Sequence, residues 1–434
     1  MIALQIMFGF GVMFLIMALG IHIASTMFVL GVGVGAATIG RAIILDFGNQ
    51  MWTVLNSFVM TSIPLFVLLG EMMLRSGVTE RMYNCLAKWL ARLPGGLLHT
   101  NIAASALLAA NSGSSVATAA TIGVVAIPAF KARKYNDRLV LGSIAAGGTL
   151  GILIPPSINM IIYGSVADVS IGRLFAGGFI PGFSLAFMFM LVIAVIAIAR
   201  PEVAGLPEAP IPFGEKVKSL VSLLPIGFVI FAIMGSIYAG WATPTEAAAL
   251  GVLAVVLIAI FNRKISIEFQ HESFAATLRT TGMILLIMIS AFYMNYVFSV
   301  LGLQQTVSKW LVSMKMTPHV AMWLIVVFYM ILGCFIETIA MMVTTIPLVL
   351  PIVVAAGYDP VWFGIFLVIL CEASLITPPV GMNLYVVQGI RGDKGPLKDV
   401  AIGMLPFLAM MVVLLGLLIY FPAIALWLPN KLFG

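Results

Sequence analysis

The chain has 434 residues, of which 62% are hydrophobic and only 9% charged, and its formal net charge is +6. A soluble protein carries roughly 25% charged residues, so the composition excludes a soluble globular enzyme, a disordered chain and a fibre. The length and apolarity of the stretches also exclude an outer-membrane barrel, leaving a polytopic all-α membrane protein. Basic residues flank apolar segments instead of forming one patch, so the charge reads as inner-membrane topology and not as nucleic-acid binding.

In chain order, apolar segments are expected at 3–19, 22–40, 52–74, 97–111, 114–129, 139–165 and 174–199. No Lys or Arg precedes Arg41, so the first run lacks the basic region of a cleaved signal and reads as a retained span. A polar stretch, Arg200 to Lys218, follows with Pro201, Pro207, Pro210 and Pro212, and is the one convincing linker. The second set runs 219–239, 244–261, 280–300, 319–336, 338–353, 361–388 and 400–428. The expected division is an N-terminal repeat 1–200, a cytoplasmic linker 201–218 and a C-terminal repeat 219–434. Within the repeats, 1–95 and 219–317 read as scaffold, and 96–170 and 318–390 as hairpin plus broken helix.

The two sets resemble each other. A shift of 223 places Thr121 on Thr344, Pro128 on Pro351, Tyr135 on Tyr358 and Pro155-Pro156 on Pro378-Pro379. A shift of 225 places Gly178 on Gly403 and Pro181 on Pro406, and one of 221 places Lys88-Trp89-Leu90 on Lys309-Trp310-Leu311. Common order and near-constant offset imply an internal duplication, a feature of secondary transporters.

Segments 97–111 and 114–129 would each be only ~22–24 Å long at 1.5 Å per residue, short of the ~30 Å hydrocarbon core. Ser112-Gly113 between them offers no charge to hold a loop in water, so a re-entrant hairpin is expected, with 319–353 and a tip near Glu337 as its counterpart. Each repeat then has five spanning elements, one of them broken at Pro-Pro, plus the hairpin. Five is odd, so the repeats are inverted. With the 131–138 loop in the cytoplasm, 17 of the 22 Lys and Arg fall on that side and 5 on the other, as the positive-inside rule requires. Both termini are expected to be periplasmic.

Enzyme signatures are missing. There is no P-loop and no His-Glu-x-x-His, and His22, His99, His271 and His319 do not cluster. Cys85, Cys334 and Cys371 have no metal-ligand spacing. The glycines of Gly31 to Ala36 lie in a span and not after a strand, so they do not mark a nucleotide site.

Three groups of residues can carry chemistry. The first is Asn111-Ser112-Gly113-Ser114-Ser115 at the first hairpin tip. A break inside the membrane frees carbonyls on one side, which suit sodium, and N–H groups on the other, which suit a carboxylate. The second is Gly147-Gly148-Thr149-Leu150-Gly151 before Pro155-Pro156, with its mate Thr377-Pro378-Pro379-Val380-Gly381. A double proline removes two donors and needs a reason in lipid. The third is acidic: Glu71, Glu246, Glu337 and Glu372 sit in apolar surroundings. Glu337 corresponds to Ser114 in the repeat and is expected to complete a cation site. Glu246 reads as a helix cap after Thr243-Pro244, and Glu71 as the ion-pair partner of Arg75. The stretches 75–92 and 302–315 read as interfacial helices.

The runs NSGSSVATAATIG (111–123), GGTLGILIPPSINMIIYG (147–164), YAGWATPTEAAA (238–249) and ITPPVGMNLYV (376–386) resemble the large membrane subunit of tripartite ATP-independent periplasmic (TRAP) transporters. The resemblance implies a sodium-coupled importer of an organic acid anion, such as a C4-dicarboxylate or sialic acid, with an elevator-type architecture. It implies as partners a small four-helix membrane subunit and a periplasmic substrate-binding protein, in the bacterial inner membrane. By position, it implies one sodium site from Asn111, Gly113 and Ser114 with Gly148 and Gly151. A second would use Gly333, Glu337, Thr338, Thr377 and Pro378. Substrate would touch Ser112, Ser115, Thr149 and Asn383. This chain has Leu370 and Ser374 where the family often has Asn and Gly. A stand-alone sodium/carboxylate symporter of the same architecture is the alternative reading.

Overall fold

The computed structural model describes residues 11–13, 15–17, 19–205, 211–303, 305–306, 316–378, 381–392 and 395–434. The side chains of Asn111 and Ser112 lie outside that description. The described residues are helical almost throughout, with no strand among them. Among them, eight helices are long and apolar enough to cross a membrane, or nine if the bent pair Asp137–Leu153 and Ile158–Ala167 counts as one span. The chain is a multi-pass helical membrane protein. Most of the expected first span, the match at 309–311, most of the 302–315 stretch and Pro379 fall outside the described residues.

Several boundaries differ from the sequence reading. The span expected at 52–74 starts at Phe58, because Asn56 and Ser57 separate it from the helix Phe47–Leu55. The helix expected at 280–300 extends back to Ile267, where Ser266 caps it by accepting the Phe269 N–H. The first helix of the second half, Phe213–Tyr238, begins inside the proline-rich stretch taken as linker. Its first turns lie on the amphipathic helix Val78–Leu90: the Trp89 indole N–H donates to the Lys216 carbonyl at 3.1 Å, and Phe213 packs edge-on against the Trp89 ring. That contact replaces water for a polar segment at the interface. The last apolar run is two helices, Leu397–Tyr420 and Ala423–Phe433, parted before Pro422.

Local chemistry expected from the sequence is present. Arg75 pairs with Glu71 and reaches Glu272 at 3.2 Å. Glu246 completes a capping box with Thr243, whose N–H and hydroxyl donate to its carboxylate at 2.8 and 2.7 Å.

The two halves repeat one order. A hairpin (Leu97–Ser112 with Ser115–Ala132, then Pro318–Leu332 with Thr338–Ala355) precedes a broken span. The broken spans are Asp137–Leu153 with Ile158–Ala167, and Pro360–Leu375 with Met382–Ile390. A long closing helix follows each, Ile171–Ala199 and Leu397–Tyr420. The packing is reciprocal. Ile158–Ala167 lies on the inner arm of the second hairpin, and Met382–Ile390 lies on the inner arm of the first. Each inner arm has 18 residues, ~27 Å at 1.5 Å per residue, longer than the sequence implied.

The core is the pair Asp137–Leu153 and Pro360–Leu375, which pack on each other and are buried on every face over 139–153 and 361–375. A helix apolar all round is one enclosed by other helices. Trp362 sits between Tyr358 and Phe366 in a stack, with its indole N–H on the Leu418 carbonyl at 3.1 Å. Small residues let backbones touch. A Cβ on Gly142 would stand 2.1 Å from the Gly403 carbonyl carbon, and one on Gly403 would stand 1.8 Å from the Arg138 carbonyl oxygen.

Overpacking a tight contact typically costs about 1–3 kcal/mol. Gly142→Val is therefore expected to lower the thermal midpoint in detergent by several degrees. Gly282→Ala, where nothing lies within 4 Å, should leave it unchanged. Fluorescence-detected size-exclusion after a temperature series reads both.

Candidate functional site

A helix that stops inside the bilayer leaves N–H groups at one end and carbonyls at the other without partners. The first hairpin turns at Gly113, whose φ of +58° favours glycine, and whose N–H closes the outer arm on the Ala109 carbonyl at 3.2 Å. Ser114 then caps the inner arm, its hydroxyl oxygen accepting the Ala117 N–H at 3.4 Å. The Ser114 carbonyl accepts the Thr118 hydroxyl at 2.8 Å.

The second tip solves the same problem with a carboxylate. Glu337 occupies the N-cap of Thr338–Ala355 and accepts the Ile339 and Ala340 N–H groups at 2.9 and 3.2 Å and the Thr338 hydroxyl at 3.0 Å. A negative charge at a helix N-terminus is favourable. Ser114 and Glu337, 223 positions apart, thus do one job in the two repeats.

Each tip meets the break of its own repeat. A Cβ on Gly113 would lie 3.3 Å from the Ile158 side chain, at the start of the half-helix beyond Pro155-Pro156. The Ser115 hydroxyl donates to the Thr149 carbonyl at 3.4 Å. A Cβ on Gly151 would come within 2.7 Å of the Ser114 carbonyl oxygen, and one on Gly148 within 2.6 Å of Ala119 Cβ. In the second repeat the Cys334 thiol donates to the Pro378 carbonyl at 3.3 Å, and Gly333 leaves room for Ser374, to which a Cβ would be 2.2 Å away. Each tip thus lies against the break of its own repeat, the arrangement that a re-entrant hairpin requires.

The breaks differ. At the first, Pro155 and Pro156 provide no N–H for the Gly151 and Ile152 carbonyls. Ser157 repairs one, donating to Ile152 at 2.5 Å, and caps the half-helix by accepting the Met160 N–H at 3.4 Å. At the second, Thr377 donates to the Ala373 carbonyl of its own helix at 2.6 Å. Gly381, with φ +42°, begins Met382–Ile390, which has no side-chain cap.

The structure therefore gathers Gly113, Ser114, Ser115, Gly148, Thr149 and Gly151 into one cluster, and Gly333, Glu337, Thr338, Thr377 and Pro378 at the other tip and break. The Thr149 hydroxyl turns into its own helix, donating to the Ala146 carbonyl at 2.6 Å, so its carbonyl is the group facing the tip. Asn383 bridges the repeats, its Nδ2 donating to the Ala145 carbonyl at 3.5 Å while its Oδ1 has no partner. The side chains of Asn111 and Ser112, expected at the sodium and substrate sites, lie outside the described residues.

Sequence reasoning missed Thr118, Ser157 and Asn159. Asn159 is buried, with an unpartnered Nδ2, and is the second residue of its half-helix, as Asn383 is of the other. A comparison by helix position, instead of at offsets of 221, 223 and 225, would have paired them. Among the described residues no three His, Cys, Asp or Glu side chains come together. The available ligand chemistry is carbonyl, hydroxyl and single carboxylate, a hard oxygen set.

A profile of the family described as "Tripartite ATP-independent periplasmic transporter, DctM component" matches residues 10–424. The chain belongs to the DctM family. It is similar to the sialic acid TRAP transporter large permease protein SiaM of Vibrio cholerae serotype O1, 33% identical over 387 residues, 89% of this chain and 90% of that protein. It is also similar to the C4-dicarboxylate TRAP transporter large permease protein DctM of Pseudomonas aeruginosa, 33% identical over 377 residues, 86% and 87% of the two chains. The isethionate TRAP transporter permease protein DctMQ of Oleidesulfovibrio alaskensis is 31% identical over 430 residues, 98% of this chain but 66% of that protein. In fold, the chain is similar to the YdaH transporter of Alcanivorax borkumensis, with a TM-score of 0.61, 15% identity and coverage of 91% and 90%. This DctM-family chain is a transport permease and not an enzyme.

Removing a Ser cap costs about 1 kcal/mol, and leaving buried N–H groups unpaired costs about 1–3 kcal/mol. Glu337→Ala, which strips two N–H groups of their acceptor, is expected to lower the thermal midpoint more than Ser114→Ala. Glu337→Gln, which keeps an oxygen at the cap, should fall closer to the parent. Thermal scanning in detergent checks the order.

Proposed function

We propose that this permease imports an organic acid anion, a C4-dicarboxylate, sialic acid or a similar carboxylate, across the bacterial inner membrane, driven by sodium. A periplasmic binding protein delivers the anion, and a small four-helix membrane subunit completes the transporter. The one observation that carries this reading is the pairing of two capped tips with two breaks. Two inverted copies of one oxygen-lined turn provide cation sites on either side of a space where helix N-termini favour an anion. Its relatives named for sialic acid and C4-dicarboxylate transport point to the substrate class.

One cation seats between Ser114 and Gly148–Gly151, where the Gly151 carbonyl has lost its helical donor to Pro155. The other seats near Glu337, Thr338 and the Thr377-Pro378 turn. The anion lies between the tips, near Ser115, Thr149 and Asn383. Hairpins and broken spans move as one body against the remaining helices, an elevator in which both termini face the periplasm.

Proteoliposomes holding the permease, the small subunit and the binding protein are expected to take up radiolabelled anion only with an inward sodium gradient. Ser115→Ala and Glu337→Gln, assayed where both remain folded, should reduce the initial rate by at least tenfold. Uptake by the purified chain alone would instead favour a stand-alone symporter. Uptake indifferent to sodium would overturn the coupling.

A further inference from the structure

Glu372 takes no part in the sites above. It lies three residues before the end of Pro360–Leu375, in the helix buried on every face, and its relative exposure is 0%. Neither carboxylate oxygen has a hydrogen-bond partner. The group that faces it is the Leu153 backbone N–H, at the edge of the Pro155-Pro156 break, so it sits where the two broken spans meet. By the 223 offset its mate is Thr149. The same turn frees the Gly151 carbonyl.

Among the described residues no basic side chain pairs with this acid. Among the described residues Arg391 is the other charged side chain buried to this degree, and it is tied to Asp399 and the Pro396 carbonyl where the second broken span ends. The titratable neighbours are neutral or acidic. Cys371 precedes it on its own helix and also faces Glu337, and the elements packed on that helix carry Tyr329 and Tyr163, whose hydroxyl donates to the Pro360 carbonyl. The closing helices carry their charges only in end turns, as do His319 on the outer hairpin arm and Lys431 on Ala423–Phe433, while Tyr385 on Met382–Ile390 is exposed. An uncompensated carboxylate is among the most expensive groups to hold inside a membrane. Its charge can be cancelled there only by a bound cation or a proton.

We propose that Glu372 is a further coupling site, its charge cancelled by one monovalent cation, sodium or a proton, bound where the broken spans meet. The ion moves with the hairpins and adds one positive charge to each cycle. This rests on the sodium-coupled reading above, and the test separates the two.

Initial uptake rates are measured in proteoliposomes of the three components against sodium and against pH, for the parent, Glu372→Gln and Glu372→Asp. If sodium is the ion, Glu372→Gln lowers the Hill coefficient for sodium by about one with the pH profile intact. If a proton is the ion, Glu372→Gln flattens the pH profile with the sodium response intact. Parent-like sodium and pH responses in Glu372→Gln overturn the site. Should that variant not fold, Glu372→Asp keeps the charge and shortens its reach. A several-fold shift in half-saturating sodium or proton concentration supports the site, and an unchanged value in folded protein overturns it. Parent uptake indifferent to sodium would sink the coupled reading itself, whereas sodium-dependent parent uptake with an unaltered Glu372→Gln sinks only this inference.

Discussion

Hydrocarbon offers no hydrogen bonds, and every other feature of this protein is arranged around that fact. A helix interrupted within the bilayer exposes backbone groups that water cannot satisfy. The interruptions persist because each has a dedicated partner: Ser114 and Glu337 at the tips, Ser157 and Thr377 at the breaks. The Gly151 carbonyl, whose helical donor Pro155 lacks, and the start of Met382–Ile390, which has no side-chain cap, are left to other partners. The same scarcity that makes interruptions costly is what the proposed ion sites would use.

Glycine lets this region close. The Ser114 carbonyl reaches the first broken span because Gly148 and Gly151 present no side chain, and the second tip accepts Ser374 because residue 333 is glycine. Around the site, the Gly142–Gly403 contact ties the first broken span to the second closing helix, so the two repeats interlock through their backbones.

Much of this was legible in the sequence because lipid enforces simple rules. Long apolar runs, basic loops and repeated Pro-Pro gave the helical class, the duplication and the hairpin pattern. Where polarity and not apolarity set an end, reading failed. Ser266 starts a helix thirteen residues before the expected apolar run, and Phe213 starts one inside a proline-rich stretch because Trp89 and Val78–Leu90 shelter it. The hairpin arms extend beyond their apolar cores for the same reason. At the site, the tip and break residues were visible as motifs, but their roles were not. That Thr149 offers its carbonyl and not its hydroxyl, or that Glu337 is spent on capping two N–H groups, depends on rotamers and packing across elements far apart in sequence. Asn159 was hidden because its partner lies at an offset of 224, which none of the matches at 221, 223 and 225 shares.

The depth of the two tips tests the central claim most directly. A cryo-electron microscopy map of the protein in a lipid nanodisc fixes both headgroup planes and the positions of Gly113 and Glu337. Both residues are expected inside the ~30 Å hydrocarbon layer, each against the break of its own repeat. Either residue found level with the headgroups, away from its break, would contradict the re-entrant architecture and the sites built on it.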